Sequence, residues 1–159
     1  MWWRKPNKKI NMATRATIAK LDDNGVKAIY LHSDGYLEHA GRILAEHYRD
    51  ESKVDELLAH GDVSIIDENI GVKIDFNDYK TRYANKQCKF YMRDRGEKYK
   101  QAEQLKDETE LIEFSNNCDV DFIYMFAYGY WYVYDIHNGE AYNEINKFKE
   151  LEDELYVLK

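Results

Sequence analysis

The chain has 159 residues, 44% of them hydrophobic, with a formal net charge of −7 and two cysteines, Cys88 and Cys118. That length suits one domain burying roughly two-thirds of its unfolded surface, and two cysteines are too few for a disulfide framework. No stretch approaches the roughly 20 apolar residues of a membrane span, and no CxxC, HExxH or clustered Cys/His spacing calls for a metal. A soluble protein of the reducing cytoplasm, with no membrane, metal or cofactor, is the expectation.

Residues 1–11 carry four basic groups, no acid and the only proline, and precede a second methionine, Met12. They are expected to be a disordered arm ahead of a single domain over 12–159. The first regular signal is "ATIAKLDDNGVKAIYLH", two apolar-rich runs around Asn24-Gly25. That pair suits a type I′ turn, in which both central residues need positive φ. A hairpin closed there places Thr17 opposite His32 and Arg15 opposite Asp34, gathering four polar side chains on one face.

Leu37, Ala40, Gly41, Leu44, Ala45 and Tyr48 follow at helical spacing. Gly41, costly in a helix interior by about 1 kcal/mol relative to Ala, marks a close approach by another element. "ESKVDELLAHG" reads as a second helix ended by Gly61, and "DVSII" and "GVKIDF" as short strands. "CKFYMRDRG" alternates as an extended run, with Lys89, Tyr91, Arg93 and Arg95 to one side. "DETELIEFS" reads as a short helix, and "DFIYMFAYGYWYVYD" as two aromatic strands turning near Gly129. Tyr142, Ile145, Phe148, Leu151 and Leu155 give a terminal amphipathic helix. The expected fold is α+β, with a mainly antiparallel sheet that begins with the N-terminal hairpin.

Charge is unevenly distributed. Residues 80–100 hold eight Lys/Arg against Asp94 and Glu97, a net +6, whereas residues 101–159 hold four Lys against fourteen acids, a net −10. Arg93 and Arg95 beside Tyr91 suit phosphate, carboxylate or an unpaired base. An exposed basic strand edge that discourages aggregation has the same appearance.

In "HSDGY", His32 is a candidate proton carrier or ligand, tuned by Asp34 and assisted by Arg15, with Tyr36 next in line. A structural account serves equally: Asp34 caps the helix, Gly35 permits the turn and Arg15 pairs with Asp34. His39 and His47 lie two helical turns apart, too far to share an ion unaided, and His60 and His137 carry no distinguishing context. The ligand-binding candidates are His32, Asp34, Tyr36, Tyr91, Arg93 and Arg95, and an enzymatic alternative uses His32, Asp34 and Arg93. GxSxG, P-loop and GxGxxG motifs are all missing from the sequence.

"ATRATIA", "IYLHSDGY" with "GRILAEHY", "KVDELLAHGDVS", "YMRDRGE" and "WYVYD" occur in this order. The series resembles a group of small proteins encoded by bacteriophages and prophages, with H-x-D-G-Y and R-D-R-G-E as its more specific elements. The likeness spans most of residues 13–135. Histidine is expected in the group where this chain has Met92, a departure that counts against shared catalysis. What the resemblance implies is an accessory protein of mobile elements acting by binding, such as an anti-CRISPR or another host-defence inhibitor. Its partner would be a host bacterial defence protein or a small anionic nucleotide, and its setting the host cytoplasm. General nucleic-acid binding does not suit the net charge. The alternative is a small hydrolase or nuclease-like enzyme with a phosphorylated or nucleic-acid substrate, and the acidic terminal helix offers a separate protein-facing surface.

Overall fold

A computed structural model describes residues 14–139 and 148–157. The expected arm over 1–11 and the first part of the expected terminal helix lie outside these residues. The fold is α+β, built on an eight-stranded sheet in the order β4-β3-β2-β1-β6-β7-β8, with β5 also paired to β2. The strands are β1 (Ala16–Asp22), β2 (Gly25–Leu31), β3 (Val63–Ile65), β4 (Lys89–Phe90), β5 (Glu103–Leu105), β6 (Phe122–Ala127), β7 (Tyr130–Asp135) and β8 (Lys149–Glu150).

The sheet is mixed, which corrects the expectation of a mainly antiparallel one. β1 and β6 run parallel at the centre, as do β2 and β3. All six residues of β6 are buried, and its uninterrupted "FIYMFA" is the composition of a strand covered on both faces. Ile18, Ile29, Leu31, Tyr124 and Phe126 build one core with the helices of one face. Ala19, Val26, Ala28, Ile123 and Met125 build the other.

The N-terminal hairpin forms with its pairing two residues off the expected register. Asp22 pairs with Gly25 and Thr17 with Tyr30, so the turn is Asp23-Asn24. Gly25 has φ +117, whereas neither Asp23 nor Asn24 has positive φ, and no type I′ turn forms there. The Asp22 carboxylate accepts a hydrogen bond from the Asn24 amide at 2.8 Å, closing the turn one residue early. Both central residues of the β6–β7 turn, Tyr128 and Gly129, do have positive φ.

The helix expected from Leu37 begins as a π-helical turn, Leu37–Gly41, and continues as α1 (Arg42–His47). Gly41 is buried, and a Cβ there would touch Leu151, Leu37 and Tyr124 at 3.3–3.4 Å, the expected close approach. α2 (Glu51–Ala59) is capped by the Asp50 carboxylate on the Ser52 amide. α3 (Tyr79–Asn85), capped by Asp78 on Thr81, falls in a stretch read only as a basic island.

No strand forms over "GVKIDF". Its backbone is held instead by side chains: Gln87 donates to the Val72 carbonyl and the Ile74 amide donates to Asp94. "CKFYMRDRG" is another correction, because only Lys89 and Phe90 are extended and α4 (Tyr91–Arg95) follows. Asp94 accepts from the Phe90 amide at the head of α4, and Gly96 at φ +78 ends it. α5 (Glu108–Asn117) covers the second face, and α6 (Ile136–Gly139) follows β7. The terminal helix, α7 (Leu151–Val157), starts later than expected because Lys149 and Glu150 pair with β7.

Candidate anion-binding site

The starts of β1 and β3 meet the end of β2 at one end of the sheet. Arg15 is fixed just before β1 by its backbone: its amide donates to an Asp121 carboxylate oxygen at 3.1 Å, and its carbonyl accepts from the Asp121 amide at 2.8 Å. His32 is fixed just after β2 by its amide on the Val63 carbonyl. In the observed register Tyr30 and His32 project from the second face of the sheet, and the Tyr30 hydroxyl meets His32 Nδ1 at 3.0 Å. The Tyr30 amide donates to Asp62, whose partly buried carboxyl is pushed above its usual range by burial.

Two cations flank His32. Burial lowers its pKa first, and the Arg15 and Arg95 guanidiniums lower it further. The neutral ring accepts from Tyr30 when its proton is on Nε2 and donates to Tyr30 when its proton is on Nδ1. The Arg15 guanidinium makes no hydrogen bond or ion pair to a described residue, and its Nε is buried. Arg95 lies over the rings of Tyr91 at 4.8 Å and Phe76 at 4.6 Å, and pairs with Glu97. Tyr91 sits beside Ser64, its hydroxyl pKa raised by burial. Arg15, Tyr30, His32, Tyr91 and Arg95 therefore form one cationic and aromatic group, with Asp62 and Glu97 as its neighbouring acids.

Other predicted site residues lie elsewhere. Arg93 is a structural tie: it donates to both Asp94 oxygens and to the carbonyls of Ile70, Gly71 and Cys88. Asp34 is exposed at φ +55, and among the described residues it pairs with neither Arg15 nor His32. It does not cap the following helix, whose N-cap is Tyr36 without a side-chain bond. The Tyr36 ring lies 6.0 Å from His39. Thr17, expected opposite His32, instead accepts from the Ser115 hydroxyl at 2.9 Å beneath α5. The structure thus does not assemble His32, Asp34 and Arg93 into one constellation.

Two relevant residues, Tyr30 and Asp121, are not singled out by any sequence pattern, whereas Arg15 is expected beside His32 but also paired with Asp34. Asp121 also meets His137 Nε2 at 2.7 Å, a contact across 16 residues. Only the pairing of β1 with β6 brings Asp121 to Arg15, and no local motif encodes that pairing.

Among the described residues, no group of three His, Cys, Asp or Glu side chains could hold a metal ion. No helix among them is long and apolar enough to cross a membrane. α7 buries Leu151 and Leu155 and turns Glu152 and Asp153 to solvent, where Glu152 pairs with Arg49 at 2.7 Å. No family model, curated protein or solved structure matches this chain.

Proposed function

We propose that the protein acts by binding a small phosphorylated ligand of nucleotide type at the Arg15–His32–Arg95 group, as an accessory protein that sequesters such a signal from a bacterial defence system. The observation that carries this reading is the Arg15 guanidinium, partly buried beside a neutral histidine with no carboxylate of the described residues bonded to it. A guanidinium fork is shaped for two phosphate oxygens, and its desolvated position strengthens the contact. Arg95, whose Nε and Nη2 are held by Glu97, adds a second guanidinium through its remaining Nη1 donors, Tyr91 and Tyr30 supply hydroxyls and ring surface, and His32 can take a proton as the anion arrives.

Titration calorimetry with inorganic phosphate and with nucleoside mono-, di- and triphosphates tests the reading. The native chain is expected to bind at least one of these with net proton uptake, and Arg15→Gln to weaken that binding at least tenfold. An Arg15→Gln protein that binds as the native chain does overturns the site, as does failure of every probe at millimolar concentration. Hydrolysis of the probes, lost in His32→Ala with binding retained, would replace binding by the enzymatic alternative.

A further inference from the structure

The neighbouring strand β4 holds a charge that the site just described does not use. Lys89 is only 5% exposed, with its stem buried and its ammonium still reaching solvent, and among the described residues that ammonium forms no hydrogen bond and no ion pair. What it touches are rings: Phe76 at 4.3 Å and Tyr79 at 5.1 Å from nitrogen to centroid. Cation–π contact holds the ammonium in place and leaves its N–H donors open to an anion arriving from solvent.

The charged groups around Lys89 make the omission sharper. Burial lowers its pKa first, Arg82 of α3 and Arg95 of α4 lower it further, and Asp94 opposes them with a smaller pull. The acids nearby are otherwise engaged: Asp94 holds Arg93 and the amides of Phe90 and Ile74, Asp67 holds Arg82 at 3.3 Å, and Glu97 holds Arg95. Arg95 rests on the same Phe76 ring as Lys89, and it also faces His32. Lys89, Arg95 and Arg15 are consequently neighbouring cations, joined through the rings of Phe76 and Tyr91 and the neutral His32 hydrogen-bonded to Tyr30.

We infer that Lys89 is a second anion subsite among these cations, so that the ligand carries linked anionic groups: a polyphosphate chain, as in a nucleoside di- or triphosphate. The inference rests on the proposed site for its first anion and adds the second. Tyr79, 57% exposed, forms the outer wall of the Lys89 subsite.

The test compares inorganic phosphate, pyrophosphate and tripolyphosphate on the native chain, Lys89→Met and Arg15→Gln. The native chain should bind tripolyphosphate at least tenfold more tightly than phosphate. Lys89→Met should abolish that preference while leaving phosphate affinity within about twofold. Arg15→Gln should weaken both. A preference that survives Lys89→Met overturns the second subsite alone and leaves the first standing. Tripolyphosphate binding that needs Lys89 but not Arg15 overturns the first site and keeps the second, and no binding of any probe overturns both. An independent readout is acetylation of Lys89 by acetic anhydride, followed by mass spectrometry. Tripolyphosphate should protect Lys89 at least fivefold, and equal labelling with and without it counts against the subsite.

Discussion

Replacing Arg93 by Met should lower stability rather than ligand affinity. Its side chain is 11% exposed, and the Asp94 side chain that it holds is fully buried. Five hydrogen bonds leave the Arg93 guanidinium, at 2.9–3.2 Å, two to Asp94 and three to carbonyls of the 70–71 segment and Cys88. Removing one partner of a buried ion pair costs about 3–5 kcal/mol, because the remaining charge stays desolvated. Asp94 keeps the amides of Ile74 and Phe90, at 3.0 and 2.8 Å, which places the expected loss at the lower end of that range. A loss of about 3 kcal/mol corresponds to about 6–12 °C in Tm for a chain of this size. Arg93→Lys restores the charge without the planar fork and should recover about half of the loss. Urea unfolding monitored by tryptophan fluorescence gives the free energies, and phosphate titration of the folded variants gives the affinities. A Met variant of native stability that no longer binds phosphate would refute the structural assignment and return Arg93 to the ligand site.

Two further expectations rest on single groups. His32 has a folded-state pKa below its ordinary 6.5, owing to burial and then to Arg15 and Arg95. Its contribution is therefore fully present above about pH 6.5 and is lost as pH falls through the lowered folded value, where only the unfolded chain has gained the proton. His32→Gln should lose less stability than the native chain between pH 7 and pH 5, with His60 supplying a background of the same sign in both proteins; equal losses count against the burial of His32. At the glycines, Gly61→Ala should cost about 1–3 kcal/mol, since φ is +79 and the new Cβ meets the Lys100 carbonyl that holds the Asp62 amide. Gly41→Ala meets two leucine methyls and the edge of the buried Tyr124 ring at 3.3–3.4 Å, contacts that need a shift of only a few tenths of an ångström, and it gains helix propensity, so its change should stay within about 1 kcal/mol. Reversal of that order in urea unfolding would show that the glycines are held for other reasons.

Much of the element pattern was legible locally. The hairpin faces survived an error in register because the shift was two residues and side chains alternate with period two. Tyr30 and His32 therefore kept their face while their opposite neighbours changed. "MRDRG" was misread because alternation in "CKFYMRDRG" outweighed two helix signals: an acid that reaches back to the Phe90 amide, and a glycine that follows the last turn. "FIYMFA" carried the signal of a strand buried on both faces, but no stretch of sequence states which strand lies beside it.

The sequence by itself determined the α+β class, the two hairpins, the helices over 51–59 and 108–117, and the basic character of residues 80–100. Each rests on local periodicity, capping or turn chemistry, which act within a few residues. The tertiary structure alone decided how the arginines divide. Both sit in one motif two residues apart, but Arg93 turns inward onto Asp94 and three carbonyls, while Arg95 lies on Phe76 and Tyr91 facing His32. Likewise Arg15 lost its expected partner Asp34 while staying beside His32, and parallel pairing of β1 with β6 anchored its backbone to Asp121, 106 residues away. Charge and side-chain type are written in the chain; which charges remain without a counter-ion depends on contacts between distant segments.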